Sequence, residues 1–163
     1  DVISLGDSAL KHFTKKKLKN SSEEFFYKNK TYKYYFLNTT KFKPYDGIQI
    51  TVKSSDPNYK IYNLDGVTWI KNIEECKKMM DDVSKELKKI SSSDPIFDKG
   101  KHPMDKTGKS KYERIAYKFS NGDAEIICFD MSKKLEEEGK YDRFSVTLGL
   151  NEFKKFLLDV HYK

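Results

Sequence analysis

The sequence predicts an α+β domain: an antiparallel sheet with helices packed on one face. Three observations carry that prediction. Short stretches alternate apolar and polar residues between turn signals. One long stretch repeats apolar residues at three- and four-residue spacing, and a shorter amphipathic stretch closes the chain. From residue 31 the order is three strands and a helix, then three strands and a helix, which reads as two βββα-like halves. At 163 residues the chain fits one domain, 1–163, and can bury a core without metals or many disulfides.

Taken in order, residues 1–30 read as a basic, helical N-terminal segment. Ser8 and Thr14 are competent caps for one or two short turns over 8–19. Leu10, Phe13 and Leu18 would be buried there, with His12 beside them as a packing or surface residue. Residues 31–38, Thr-Tyr-Lys-Tyr-Tyr-Phe-Leu-Asn, have high strand propensity. Ile48, Ile50 and Val52 alternate with Gln49, Thr51 and Lys53 in a half-buried strand. A turn at Asp56-Pro57 leads into a strand over 59–64. Asp65-Gly66 then reads as a tight turn before a brief strand over 67–70.

A helix from Asn72 to Ile90 is the clearest element. Ile73, Cys76, Met80, Val83, Leu87 and Ile90 form one stripe, Asn72 is the cap, and Glu74, Glu75, Lys85, Lys88 and Lys89 suit the helix dipole. Residues 91–111 show no periodicity and read as a long loop. Strands resume at 112–120, and Asn121-Gly122 predicts a type I′ hairpin. The partner strand, 123–131, is apolar on both faces, as a central strand would be. A helical excursion over 132–138 ends at Gly139. A strand over 142–149 leads to a helix over 152–161, capped by Asn151 and burying Phe153, Phe156, Leu157 and Val160.

Composition excludes a disordered chain. Hydrophobic residues are only 37%, but aromatics reach 14%, with 11 Tyr and 11 Phe. The core must therefore be built from rings, with many tyrosine hydroxyls reaching water. Cys76 on the helix stripe and Cys128 in the central strand would share one helix-on-sheet interface and are expected to pair. Two separate buried thiols are the alternative, and the absence of Cys-x-x-Cys argues against redox catalysis. No stretch approaches the roughly 18 apolar residues of a membrane span. The chain begins at Asp1, which a removed signal peptide would explain. The expected location is therefore exported, periplasmic or secreted, with a trimmed cytoplasmic protein as the alternative.

The net charge of +7 is lopsided: residues 1–43 hold ten lysines against four acids. Lys11, Lys15, Lys16, Lys17 and Lys19 are the anion-binding candidates, and a solvated face is the plainer reading. Only Arg114 and Arg143 are arginine, which weakens a nucleic-acid role. His12, His102 and His161 lack ligand spacing, so no metal site and no cofactor are indicated. The stretch Pro103 to Ser110 falls short of a phosphate loop, because Pro103 stands where that motif has its first glycine. No Gly-x-Ser-x-Gly elbow exists, and no catalytic residue is assigned. Asn20, Asn29 and Asn38 each open an Asn-x-Ser/Thr triplet.

Three stretches carry a resemblance: Asn72-Ile-Glu-Glu-Cys76-Lys-Lys with its following helix, Tyr45-Asp46-Gly47-Ile-Gln-Ile, and the closing Leu150-Asn-Glu-Phe153. With these the chain resembles small exported proteins of AT-rich marine bacteria, which have no assigned activity. The resemblance implies export and no particular chemistry.

The leading functional reading is a non-enzymatic exported binding or interaction domain. The aromatic-rich sheet and the 91–111 loop would frame its ligand surface, with Tyr34, Tyr45, Tyr59, Tyr62 and Trp69 as candidates. A core role is the alternative for each. The partner would be a small molecule, a glycan or a protein. A second reading is a polyanion or nucleic-acid binder using the lysine run with Tyr27 and Tyr32 nearby. A third is a small hydrolase whose site no motif reveals.

Overall fold

The computed structural model describes residues 3–20, 25–39, 41–91, 93–102 and 105–161. Its strands are β1 (Phe25–Phe26), β2 (Tyr32–Asn38), β3 (Gly47–Lys53), β4 (Ile61–Trp69), β5 (Ile96–Lys101), β6 (Lys111–Phe119), β7 (Gly122–Asp130) and β8 (Arg143–Leu150). They form one antiparallel sheet in the order β1-β2-β3-β4-β8-β7-β6-β5. The helices are α1 (Lys15–Asn20), α2 (Ile73–Ile90), α3 (Lys133–Glu137) and α4 (Asn151–Phe156), the last continued by a π-helical turn at Leu157–His161. An antiparallel α+β architecture is what the sequence predicted. The chain divides into two compact units. The first is Asp1–Gly66 with Asn121–Asp123 and Thr147–Lys163; the second is Val67–Ser120 with Ala124–Val146.

In the first unit, the N-terminal segment is stitched alongside the start of β4. Gly6 N–H donates to the Ile61 carbonyl, Ala9 N–H to the Tyr59 carbonyl, and Ile61 N–H to the Asp7 carbonyl, all at 2.8–2.9 Å. Ser8 Oγ accepts from Leu10 N–H and Thr14 Oγ1 from Lys17 N–H, the capping roles their types suit. These turns drive Ala9, Phe13 and Leu18 against Tyr35, Leu37, Ile48, Ile50 and Val52. Alternation turns Tyr32 to the opposite face. There Tyr32 and Tyr62 receive Phe153 and Phe156 of α4, with ring centroids 5.0 and 4.8 Å from Tyr32. Helical elements thus cover both faces of this unit's strands, not one as expected, because the strands carry large apolar groups on both sides. The N-terminal segment is also less helical than expected, with β1 pairing antiparallel to β2 inside it.

Two turn signals prove to be something else. The stretch Asp65-Gly66 lies inside the continuous strand β4. Asp65 is kept there by hydrogen bonds from Gln49 Nε2 (3.0 Å), Asn63 Nδ2 (2.8 Å) and Thr147 Oγ1 (2.5 Å). Gly66 is required by the Tyr45 ring, which a Cβ would approach to 2.7 Å. The pair Asn121-Gly122 does sit at the hairpin of β6 and β7, but neither residue takes positive φ, so the turn is not type I′. Gly122 serves a close approach: a Cβ there would collide with the Gly149 carbonyl oxygen. The cap position of α4 is Leu150, with Asn151 its first helical residue, and Asn151 N–H donates to the Asn121 carbonyl at 3.1 Å.

In the second unit, α2 starts as the sequence indicates, with Asn72 Oδ1 accepting from Glu75 N–H at 2.9 Å. Cys76 and Met80 of its stripe are buried and Val83 and Leu87 half-buried, but Ile90 is 70% exposed, so the burial of the stripe runs out in the last turn. Cys76 and Cys128 are disulfide-bonded, with Cα atoms 5.9 Å apart and both side chains fully buried. One turn further on, Ser84 Oγ and the Tyr117 hydroxyl lie 2.6 Å apart. The expected 91–111 loop is corrected by β5, which pairs Phe97 with Ile115 and Asp98 with Arg114. As the last strand in the sheet, β5 has no buried residue, and hence no apolar alternation to read.

The disulfide closes a loop of 52 residues. Replacing both cysteines by serine is expected to lower the unfolding free energy by about 4 kcal/mol in the chain-entropy model, measured by urea denaturation. A change below about 1 kcal/mol would show that the unfolded chain is hardly constrained by the bond. Gly122→Ala is expected to cost on the order of 2 kcal/mol by overpacking, while the exposed Gly139→Ala site, where φ is +82°, responds through backbone strain alone.

Candidate ligand-binding grooves

Helix α2 and strands β5 and β6 enclose a groove of about 660 Å³ in the second unit. Met80 and Ile115, both buried, provide an apolar floor, and Phe97 forms a lip that is 70% exposed. The register places Phe97 directly across from Ile115, which is why the two share the groove. The rim alternates in sign: Lys77, Lys99 and Arg114 against Asp81, Asp98 and Glu113. Arg114 is fixed by Asp98 at 3.1 Å and Glu125 at 3.4 Å, and the Tyr112 hydroxyl also donates to Asp98 at 3.1 Å. That hydrogen bond to Asp98 holds the Tyr112 hydroxyl above the usual phenol range. Lys77 lies 3.7 Å from Glu113. The rim is therefore charge-balanced and largely self-paired.

The segment after β5 gathers His102, Asp105 and Ser110, the residue types of a hydrolase. All three are buried. Their geometry does something different. Ser110 Oγ donates directly to Asp105 Oδ2 at 2.6 Å and accepts from Ser132 N–H at 2.8 Å. Thr107 N–H (2.9 Å) and Oγ1 (2.6 Å) donate to Asp105 Oδ1, and Ser110 N–H to Oδ2 at 2.9 Å. The serine hydroxyl is thus occupied in both roles, and its hydrogen bond is already made to the carboxylate. Asp105 instead fills an anion nest built by its own loop, with Gly108 at φ +69° completing the curl. The backbone donors of Thr-Gly-Lys-Ser are spent inside the loop: Thr107 and Ser110 N–H on the Asp105 carboxylate, Gly108 N–H on the Asp105 carbonyl and Lys109 N–H on Thr107 Oγ1; Pro103 lies outside the described residues. Burial, with help from Arg143 and Lys140, holds His102 below the usual imidazole range.

The aromatic candidates do not converge. Tyr59 and Tyr62 are 8% and 6% exposed and belong to the core of the first unit. Tyr34 is stacked on Phe25 at 4.9 Å, and Tyr45 covers Gly66; burial raises the pKa of both hydroxyls. Trp69 belongs to the second unit, 44% exposed, edge-on to Tyr141 at 6.3 Å. Of the lysine candidates, Lys11 pairs with Asp7 at 2.9 Å and Lys15 lies over the Tyr59 ring. Lys16 and Lys17 line a cavity of about 450 Å³ with Thr14, Asn20, Leu37 and Asn38. A neighbouring cavity of about 440 Å³ shares Lys17 and Asn38 and adds Thr39, Lys43, Tyr45 and Asp46. Lys19 is exposed and lines neither.

Sequence reasoning missed Phe97, Asp105 and Lys43. The first had a signal, the Ile96-Phe97 pair in a polar stretch. The others depend on loop closure that no periodicity records. Among the described residues, no group of three or more His, Cys, Asp or Glu could hold a metal ion, and no helix is long and apolar enough to cross a membrane. No protein-family model, curated protein or solved structure matches the chain.

The four donors converging on Asp105 hold its carboxyl well below the usual range, led by the Ser110 and Thr107 side-chain hydrogen bonds. A depressed folded-state pKa contributes stability that is present above the unfolded value near pH 3.9 and is lost as pH falls through the folded value. The Asp105 carboxyl carbon is thus expected to show no titration step between about pH 5 and about pH 3 by NMR, where an ordinary carboxylate titrates. A midpoint near pH 4 would mean the nest does not hold in solution.

Proposed function

We propose that the chain is a non-enzymatic binding domain of an oxidising, extracytoplasmic compartment, and that its ligand surface is the groove between α2, β5 and β6. One observation carries this reading: the groove combines an apolar floor of Met80 and Ile115 with an exposed aromatic lip, Phe97. Its volume falls within the range of sites that take small molecules or peptide side chains. A large ring left 70% exposed at the mouth of such a groove loses water favourably when a ligand covers it. The balanced rim fits a ligand of no strong net charge, such as a short peptide with an apolar residue at its centre. The internally satisfied Ser110 and Asp105 speak against a hydrolase site in that loop. The buried disulfide supports the compartment.

The test is an NMR titration of the full chain with short peptides carrying a central Leu or Phe. Amide shifts are expected to cluster on Phe97–Lys99, Glu113–Ile115 and the first half of α2. Phe97→Ser is expected to weaken binding by on the order of tenfold or more, given about 1.5–3 kcal/mol for a buried Phe. Shifts elsewhere, or unchanged binding by Phe97→Ser, would overturn the assignment.

A further inference from the structure

The two adjoining cavities of the first unit have a different character. They share Lys17 and Asn38, so together they form one trench running from Thr14 to Asp46. Among the described residues, Lys16, Lys17 and Lys43 line it, against a single carboxylate, Asp46. None of the three lysines has an ion-pair partner among the described residues; Lys17 has only a ring contact, 5.6 Å from the Phe13 centroid. This sets them apart from Lys11, Lys53 and Lys154, each of which faces a carboxylate. Between the lysines stand neutral polar groups. Asn20 and Asn38 offer amides. Thr14 Oγ1 and Thr39 Oγ1 each accept a backbone N–H, from Lys17 and Lys41 at 3.1 Å, which leaves their hydroxyl hydrogens for another acceptor.

We propose that this trench binds an acidic polysaccharide chain, with Lys16, Lys17 and Lys43 holding its sulfate or carboxylate groups and Asn20, Asn38, Thr14 and Thr39 its hydroxyls. The charge is the first reason: three ammonium groups with no ion-pair partner among the described residues attract a chain bearing anions at intervals. Lysine supplies point charges, which suit separated single anions better than bidentate readout. The alternating polar lining is the second, since amides and hydroxyls match sugar hydroxyls in both donor and acceptor roles. The third is the lack of a ring face. Tyr45, the aromatic of the trench, is packed on Gly66, so a nucleic-acid base finds no platform to stack on. The trench lies wholly in the first unit and does not rest on the peptide groove.

The experiment is isothermal titration of the full chain with dextran sulfate, polygalacturonate, neutral dextran and a thymidine oligonucleotide. One or both acidic polysaccharides are expected to bind, the tighter naming the anion, and neutral dextran not. Affinity is expected to fall on the order of tenfold or more between about 50 and about 200 mM salt, as three released counterions require. Lys16→Gln/Lys17→Gln/Lys43→Gln is expected to weaken binding about tenfold with an unchanged thermal midpoint, since all three side chains are exposed. Lys85→Gln/Lys88→Gln/Lys89→Gln on α2 removes the same charge and is expected to change affinity by less than about twofold. Equal weakening by the two triple variants would reduce the effect to net charge and overturn the site. So would tighter binding of the oligonucleotide than of either polysaccharide, or no binding of any acidic chain at low salt.

Discussion

Burying tyrosine is the constraint on which the rest of this structure depends. A chain with 37% hydrophobic residues and 11 tyrosines cannot fill its interior with aliphatic side chains alone. Tyr35 and Tyr117 are accordingly buried completely. A buried phenol must keep a hydrogen bond, or its desolvation opposes folding. Tyr117 meets this through Ser84 on α2, so a core ring also specifies where the helix rests. Tyr27 reaches Thr51 at 3.4 Å across the strands. Tyr32 packs edge-on against Tyr62 at 5.3 Å, and burial pushes its pKa up to about 12, with Glu152 contributing next. Lys53 is raised mainly by its hydrogen bond with Glu152, and its ammonium lies over both tyrosine rings. Rings committed in this way are not available as ligand platforms, and the grooves are instead floored by Met80, Ile115 and Leu37.

This division explains what was legible in the sequence. Elements that bury one face announced themselves: β3 through Ile48, Ile50 and Val52, and α2 through Cys76 and Met80 with its Asn72 cap. The disulfide followed from the same logic, because a helix stripe and a central strand share one interface. Elements without a buried face left no trace. Strand β5 is held by its ladder to β6 and by the Asp98–Arg114 pair, neither of which has a period. Glycine was misread for a related reason. At Gly66 and Gly122 the residue answers a neighbour distant in sequence, Tyr45 and Gly149, while its local context suggested a turn. Asp105 was invisible because its partners, Thr107 and Ser110, also resemble half of a nucleotide motif. The candidate sites were the least legible, since Lys43 joins Lys16 and Lys17 only through the fold.

Charge separates the two grooves by chemistry. The one in the second unit pairs its charges within its own rim, which lowers the benefit of a charged ligand and leaves apolar contact as the main term. The one in the first unit pairs none of its three ammonium groups among the described residues, which costs little where they are solvated and rewards an anion that displaces their counterions. A basic sequence therefore need not imply a basic surface everywhere; three of the ten lysines in the first quarter of the chain, Lys16, Lys17 and Lys43, line these cavities.

The two compact units also have a consequence for how the chain comes into being. Neither is a continuous stretch of sequence. The first is closed by α4, whose Phe153 and Phe156 complete the face bearing Tyr32 and Tyr62. The second needs residues 124–146 to bridge Cys76 to Cys128. During synthesis, the face of the first unit that packs Phe13 and Leu18 on Tyr35 and Ile50 draws only on early residues, whereas its opposite face and the disulfide of the second unit must wait for late ones. Completion of the chain therefore closes the two units by different means, a late helix laid over tyrosine rings in one and a covalent bond in the other.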